Sequence, residues 1–169
     1  VDTVTRAHCG SCRRCIDICP TRAIVAPYQL DARRCIAYLT IEHTGPIPES
    51  LRPLIGNRVF GCDDCQLVCP WNRHAKRSRE AAFLPREALR APQLVDLLAW
   101  DEQRFLSATA GNPLRRAGYT GFLRNVAIAL GNAPRSASVR SALEKRREYP
   151  SNLVREHIHW ALKRQALSG

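Results

Sequence analysis

The stretch CGSCRRCIDICP, residues 9–20, decides the fold because four of its twelve residues are cysteines and a proline follows the last of them. A shorter related stretch, CDDCQLVCP, lies at residues 62–70 and carries three cysteines with the same final Cys-Pro. All eight cysteines of the chain lie between residues 9 and 69, so any thiol chemistry is concentrated in this part.

Three kinds of cysteine site compete for this pattern. A disulfide framework needs an oxidising compartment, and no secretory signal is visible. Structural zinc takes CxxC pairs that are set some distance apart. CxxCxxCxxxCP instead places four thiolates within eleven residues, which is the bacterial ferredoxin pattern for two neighbouring [4Fe–4S] clusters. We therefore expect two [4Fe–4S] clusters, with two zinc ions as the main alternative.

The ferredoxin rule also predicts which cysteines share a cluster. Three cysteines of a motif bind one cluster and the fourth binds the other, so each motif serves both. The second motif lacks one cysteine, and Cys35 in the stretch DARRCIAY is the one left to complete it. The predicted ligands are Cys9, Cys12, Cys15 and Cys69 for cluster 1, and Cys19, Cys35, Cys62 and Cys65 for cluster 2.

Residues 36–61 form an insertion between the two motifs. The run IAYLTI is apolar and β-branched, which suits either a short strand or a buried helical turn. PESLRPLIG is typical of a short helix that begins near Pro48 or Ser50, with Gly56 as the residue that ends it. The insertion is either a spacer that covers cluster 2 or a docking surface beside it.

The second half of the chain is basic and helical. Residues 76–169 carry 17 Lys and Arg against eight acidic residues, a net +9 of the +11 for the whole chain. Apolar residues recur at three- and four-residue steps in APQLVDLLAW, GYTGFLRNVAIALGN with Gly131 as its predicted end, SASVRSALEKRREY and SNLVREHIHWALKRQAL. Such helix pairs suit a short α-solenoid.

The expected fold class is α+β and mostly α. We predict a ferredoxin-like double-cluster domain at residues 1–78, which contains the insertion, and a helical domain at 79–169. No apolar run is long enough to span a bilayer, so a cytoplasmic chain without a membrane partner is expected.

Arginine dominates the basic half, and its guanidinium fork matches phosphate, so nucleic acid is a candidate partner. Arg115, Arg116 and Arg124 cluster near one helix start and are candidate phosphate contacts. Tyr119 either stacks on an unpaired base or forms the edge of the core. Asn125 either hydrogen-bonds RNA or bonds to its own backbone, and we expect the local bond.

The chain resembles the C-terminal half of the epoxyqueuosine reductase family. The resemblance rests on CGSCRRCIDICPTRAI, RRCIAYLTIEHTGPIPE, IGNRVFGCDDCQLVCPWN, PLRRAGYTGFLRNVAIALGN and VREHIHWAL, which together run over nearly the whole chain. It implies that the helical domain is HEAT-like. It further implies cobalamin, an external electron donor and the anticodon stem-loop of a tRNA as partners, in a monomer that reduces epoxyqueuosine to queuosine at the wobble base.

The resemblance also implies roles for individual residues. Ala37 and Asp63 are expected near the cobalamin. The tRNA face is expected to include residues 41–44 and 113–119, with Ile41, His43, Thr44, Arg115, Arg116 and Tyr119 as candidates. Plainer interpretations exist, because Asp63 suits an acceptor of backbone N–H groups in the ligand loop, His43 suits an ordinary exposed histidine, and Arg115 and Arg116 suit a solvated pair.

Two function classes follow. The first is the electron-transfer and tRNA-binding part of a cobalamin-dependent reductase, and the second is a generic two-cluster electron carrier with a helical docking domain. The chain contains no methionine and lacks the cobalamin-binding half that the resemblance implies. We therefore interpret it as a piece of a longer enzyme, inactive by itself and without catalytic residues of its own.

Overall fold

The computed structural model describes residues 9–76, 78–84 and 86–166, and these residues are mostly helical. The α-helices are α1 (Arg14–Ile18), α2 (Ile36–Ile41), α3 (Arg52–Ile55), α4 (Asp64–Leu67), α5 (Leu94–Ala99), α6 (Glu102–Ala108), α7 (Gly118–Asn132), α8 (Ala137–Glu144) and α9 (Asn152–Ala166). Short 3-10 helices lie at Ala32–Arg34, Pro70–His74, Ala81–Phe83, Glu87–Leu89 and Pro113–Ala117. No helix in these ranges has the length and apolar character needed to cross a bilayer.

A small antiparallel hairpin completes the α+β class, which is confirmed. Strand β1 (Ile24–Ala26) pairs with β2 (Gln29–Leu30), with Ile24 opposite Leu30. Tyr28 occupies the turn at φ +60°, and its hydroxyl accepts a hydrogen bond from the Cys9 N–H at 3.2 Å. Strands of three and two residues are too short to show an alternating pattern, so the sequence did not reveal them.

The run IAYLTI forms helix α2, which settles the strand-or-helix alternative. Ile36, Leu39 and Thr40 are buried along one helical face. The Thr40 hydroxyl donates to the Ile36 carbonyl at 2.7 Å, so this polar side chain is satisfied within the helix. The predicted short helix follows as α3, and Gly56 at φ +64° ends it as expected.

Helix α7 is the centre of the core. Residues 121–130 are all buried, and a helix buried on every side must be surrounded by other elements. It packs against α9, α5, α3 and α2. The apolar faces predicted for α8 and α9 are confirmed at Val139 and Leu143, and at Val154, Ile158 and Ala161.

The prediction that Gly131 ends α7 is wrong, because the helix continues to Asn132. Gly131 instead allows α7 to approach α9 closely. A methyl group at this position would lie 2.5 Å from a ring carbon of Trp160 and 3.0 Å from the Ala161 Cα. The glycine is required by helix packing rather than by a left-handed backbone turn.

The insertion packs into the same core as the helices. Ile36, Leu39, Ile47 and Ile55 belong to one hydrophobic cluster with the buried residues of α5 to α9. Arg52 reinforces this packing, since its Nε donates to the Ile47 carbonyl at 2.8 Å and its Nη2 pairs with Glu156. The predicted domain division after residue 78 and the HEAT-like repeat remain predictions.

Candidate iron–sulfur site

Four cysteines line a cavity of about 270 Å³ between the hairpin, α2 and α4. They are Cys19, Cys35, Cys62 and Cys65, the four predicted for cluster 2. Apolar atoms form most of the remaining wall, from residues such as Ala23, Ile24, Leu30 and Ile36. The cavity therefore offers four sulfur donors in an apolar setting.

A smaller cavity of about 60 Å³ is lined by the other four cysteines. They are Cys9, Cys12, Cys15 and Cys69, the four predicted for cluster 1, and Arg14, Pro70 and Trp71 complete the wall. Cys9 and Cys12 are exposed, whereas all four cysteines of the larger cavity are partly buried. The smaller cavity thus includes two cysteines that are exposed to solvent.

Helix α1 connects the two cavities. Cys15 lies within α1 and lines the smaller cavity, and Cys19 directly follows α1 and lines the larger one. Helix α4 packs against α1 in the opposite sense, since Cys65 inside it lines the larger cavity and Cys69 after it lines the smaller one. The crossed arrangement follows from the one helical turn between the last two cysteines of each motif, Cys15 and Cys19 in the first and Cys65 and Cys69 in the second.

All eight cysteines are free thiols with no disulfide between them. Burial raises the pKa of Cys65, and the nearby Cys62, Cys35 and Cys15 raise it further. Burial opposes ionisation of Cys19 too, but the Ala23 N–H at 3.2 Å and the Thr21 hydroxyl lower its pKa overall. Because neighbouring cysteines oppose one another's ionisation, a bound group with a positively charged metal core would stabilise their thiolate forms.

The spacing of the donors distinguishes a cluster from a single ion. A tetrahedral zinc site holds its sulfurs about 2.3 Å from the metal, hence about 4 Å from one another. Within the described residues no three His, Cys, Asp or Glu side chains are grouped closely enough to hold one metal ion. The four cysteines around the cavity of about 270 Å³ match the cysteine set of a [4Fe–4S] cluster.

Thr40 forms a hydrogen-bonded link between two chain segments that carry cluster 2 cysteines. Cys35 directly precedes α2, and Cys62 directly follows Gly61. The Thr40 hydroxyl oxygen accepts the Gly61 N–H at 2.9 Å while its hydrogen is donated within α2. Thr40 is fully buried, so water does not compete for these bonds.

Arg124 is not a phosphate contact, which corrects the sequence prediction. Its side chain is only 1% exposed, and its Nη1 donates to the carbonyls of His43 and Gly45, both at 2.7 Å. Its Nη2 donates to the Leu39 carbonyl at 2.7 Å. Burial lowers its pKa to about 10, so the guanidinium stays charged at neutral pH.

Asn125 makes long-range bonds, so the expectation of a bond to its own backbone is also wrong. Its Nδ2 donates to the carbonyls of Thr40 at 2.8 Å and Val59 at 2.9 Å. Its Oδ1 accepts from Nε and Nη2 of Arg124. The sequence did contain a signal, because Arg and Asn stand together in a stretch that is otherwise apolar.

Tyr119 is not available for stacking on a base, and this too corrects the prediction. Its ring is buried and lies 5.7 Å from the ring of Phe105. Its hydroxyl donates to the Trp100 carbonyl at 2.6 Å. Because the ring faces the core, the core-edge interpretation of this residue is the one that holds.

The two segments predicted to face tRNA lie side by side. Arg116, in the 3-10 helix before α7, pairs with Glu42 from the stretch 41–44. Arg115 and Arg116 are both exposed, and Arg115 donates to the Leu106 carbonyl at 3.1 Å. Thr44 is exposed as well, whereas Ile41 and His43 are half-buried.

The residues predicted near cobalamin lie close to the cysteine cavities. Ala37 is half-buried in the first turn of α2, two residues after Cys35. Asp63 directly follows Cys62, and its Oδ1 accepts from the Gln66 side chain at 3.0 Å. Asp63 is exposed and borders an open groove of about 1050 Å³ along α1 and α4, which Ile18 and Leu67 also line.

Comparison with known proteins gives a family for the cysteine segment. Residues 8–72 match the family described as "4Fe-4S double cluster binding domain". This match confirms the predicted pair of [4Fe–4S] clusters as cofactors of the chain.

Curated relatives extend the similarity to nearly the whole chain. An epoxyqueuosine reductase of Xanthomonas campestris is 60% identical over 167 residues, which are 99% of this chain and 47% of the relative. One of Pseudomonas aeruginosa is 61% identical over 157 residues, or 93% of this chain and 44% of the relative. The resemblance is confirmed, and the chain spans a little under half the length of these relatives.

A solved structure supports the same similarity in three dimensions. The crystal structure of epoxyqueuosine reductase with a tRNA-Tyr epoxyqueuosine-modified stem loop aligns with a TM-score of 0.80 and 33% sequence identity. The alignment covers 97% of this chain and 44% of that one.

Proposed function

We propose that this chain, which corresponds to a part of the epoxyqueuosine reductases, carries the electron-transfer clusters and part of the tRNA surface of an oxidoreductase. The reaction is the reduction of epoxyqueuosine to queuosine at the wobble position of a tRNA. The observation that carries the proposal is the pair of four-cysteine cavities in a chain that is similar to these reductases from end to end.

The proposed ligand sets follow the two cavities. Cluster 1 is held by Cys9, Cys12, Cys15 and Cys69, and cluster 2 by Cys19, Cys35, Cys62 and Cys65. Each set combines cysteines from both motifs, so neither cluster site is complete until the two motifs pack together through α1 and α4. When bound, such clusters supply one-electron transfer.

The protein surroundings suggest where electrons enter and leave. Cys9 and Cys12 are exposed, so cluster 1 is the accessible point for an external electron donor. Helices α1 and α4, which carry Cys15 of one set and Cys65 of the other, pack against each other, which supports a short path between the clusters. The four cysteines of cluster 2 are partly buried, and Ala37 and Asp63, the residues proposed to face cobalamin, are next in the chain to Ile36 and Cys62 of this cavity.

The proposed tRNA surface combines two neighbouring segments. Ile41, His43 and Thr44 belong to the first segment, and Arg115 and Arg116 to the second. Support comes from the Arg116–Glu42 pair that joins the segments and from the exposure of both arginines. Contacts of this kind position a phosphate backbone and carry little sequence information. We propose a cytoplasmic monomer that binds the anticodon stem-loop.

Metal analysis tests the cluster assignment. Iron and acid-labile sulfide analysis of anaerobically purified chain is expected to give about eight of each per chain, as two cubane clusters require. Two zinc ions without sulfide would contradict the cluster assignment.

Binding to a tRNA anticodon stem-loop tests the RNA surface. We expect salt-dependent binding that weakens about tenfold or more in the Arg115→Ala/Arg116→Ala double variant. An Arg140→Ala variant, which removes an exposed arginine on α8, is the matched control. If the double variant and the control bind equally, the surface is wrong, and equally weak binding of RNA and of an acidic protein would favour a generic electron carrier.

A further inference from the structure

The side-chain amide of Asn125 joins two chain segments that lead to cluster 2 cysteines. One N–H donates to the Thr40 carbonyl in α2, the helix that Cys35 precedes. The other donates to the Val59 carbonyl, three residues before Cys62. The distances are 2.8 and 2.9 Å, so both are well-formed bonds.

Arg124 fixes the same region from the neighbouring position. Its five N–H groups are all used, three on the carbonyls of Leu39, His43 and Gly45 and two on Oδ1 of Asn125. These carbonyls lie at and beyond the C-terminal end of α2, where the helix dipole favours a cation. The bonds to Asn125 orient its amide so that both N–H groups point at their acceptors.

Packing alone does not require this arrangement. Apolar side chains of similar volume would fill the same space without the desolvation cost of a guanidinium, which is high even when all its N–H groups are paired. Hydrogen bonds, however, are directional, and those of Asn125 and Thr40 set the distance between the two segments. Sulfur ligands of a cubane must be held in one geometry, which a directional link provides.

We propose that Asn125, oriented by Arg124, is a positioning residue for cluster 2. It fixes the distance between the segment that carries Cys35 and the segment that carries Cys62. The inference rests on the proposed cluster ligands. It assigns no contact between Asn125 and the cluster itself. It predicts that loss of the amide affects cluster 2 selectively, although Asn125 lies in the helical part of the chain.

The test compares Asn125→Leu with Asn132→Leu. Asn132 lies on the same helix, and its amide also bridges two carbonyls, but those of Arg52 and Gly56 stand at the two ends of the single helix α3, so this link does not join the Cys35 segment to the Cys62 segment. Each protein is loaded with clusters anaerobically and then exposed to an iron chelator. We expect iron loss to be about tenfold faster in Asn125→Leu than in Asn132→Leu, and to stop near four irons per chain.

A second pair of variants identifies which cluster is lost. In a Cys35→Ala background, where cluster 2 is already absent, Asn125→Leu is expected to leave the remaining iron unchanged. Thr40→Val, a milder change that removes the acceptor of the Gly61 N–H, covers the case in which Asn125→Leu does not fold. It is expected to accelerate loss of the same four irons.

Equal iron loss in the Asn125 and Asn132 variants would overturn the inference, and so would a loss shared by both clusters. These outcomes differ from a failure of the proposed function, in which the wild-type chain itself would not bind about eight irons. Redox titration gives an independent measure, since only one of the two midpoint potentials is expected to shift in Thr40→Val.

Discussion

Replacement of His157 by glutamine is expected to reduce the pH dependence of folding stability. The His157 side chain is fully buried, its Nδ1 donates to the Leu153 carbonyl at 2.7 Å, and its Nε2 accepts the Ile47 N–H at 3.2 Å. Protonation would place an N–H at Nε2 against the donor N–H of Ile47. The neutral ring is therefore the form that fits the fold.

Burial is the main cause that lowers the pKa of His157 to about 4, from 6.5 for a free histidine. The nearby charges of Arg52 and Arg124 lower it further, while the bond to Leu153 and the charge of Glu156 oppose the shift. Because the folded pKa is lower, the unfolded chain binds the proton first as pH falls. Stability is complete above about pH 6.5 and is lost toward pH 4.

The size of the effect follows from the two pKa values. A shift of one pKa unit corresponds to about 1.4 kcal/mol, so the full effect is about 3 kcal/mol. Between pH 7 and pH 5 the histidine accounts for a loss of about 2 kcal/mol in the free energy of unfolding. Glutamine offers a donor and an acceptor without titrating.

Urea unfolding at pH 7 and pH 5, followed by circular dichroism, measures this difference. The stability of His157→Gln is expected to fall about 2 kcal/mol less than that of the wild type between these pH values. His159→Gln, which alters an exposed histidine on the same helix, is the control and should fall as the wild type does. An identical pH dependence in wild type and His157→Gln would refute the reasoning.

Three further predictions concern other positions. Gly131→Ala is expected to destabilise the fold by about 2 kcal/mol through its clash with α9. Gly121→Ala, whose methyl group would only reach an ordinary contact of 3.8 Å with the Ala117 Cβ, should be neutral or stabilising in thermal unfolding. Cys35→Ala should lower iron content from about eight to about four per chain, and retention of all eight would refute its role as a ligand. Tyr119→Phe should cost about 1 kcal/mol by losing the bond to Trp100, with tRNA affinity unchanged, and weakened RNA binding would restore the stacking prediction.

The cysteine grouping was predictable from sequence because short-range spacing determines it. The three residues between the last two cysteines of each motif form one helical turn. That turn directs the two cysteines into different cavities. Cys35 could be assigned by elimination, since one position was missing. The helices of the basic half were predictable for a similar reason, because an apolar face at helical spacing is a local property of the chain.

The roles of Arg124, Asn125 and Tyr119 were not predictable in this way. Arg124 and Asn125 bond to backbone carbonyls more than 60 residues earlier in the chain, and Tyr119 to one 19 residues earlier. An arginine beside a helix start has the same local sequence whether it faces solvent or core.

Sequence by itself thus determined the cofactor class, the cysteine sets expected for each cluster and the helical character of the second half. The tertiary structure decided which polar residues are surface and which are links within the core. It also showed that Gly131 does not end α7 but allows close contact between α7 and Trp160 of α9. The physical reason is that the burial of a polar group depends on which distant carbonyls become its partners, and only the packed chain determines those partners.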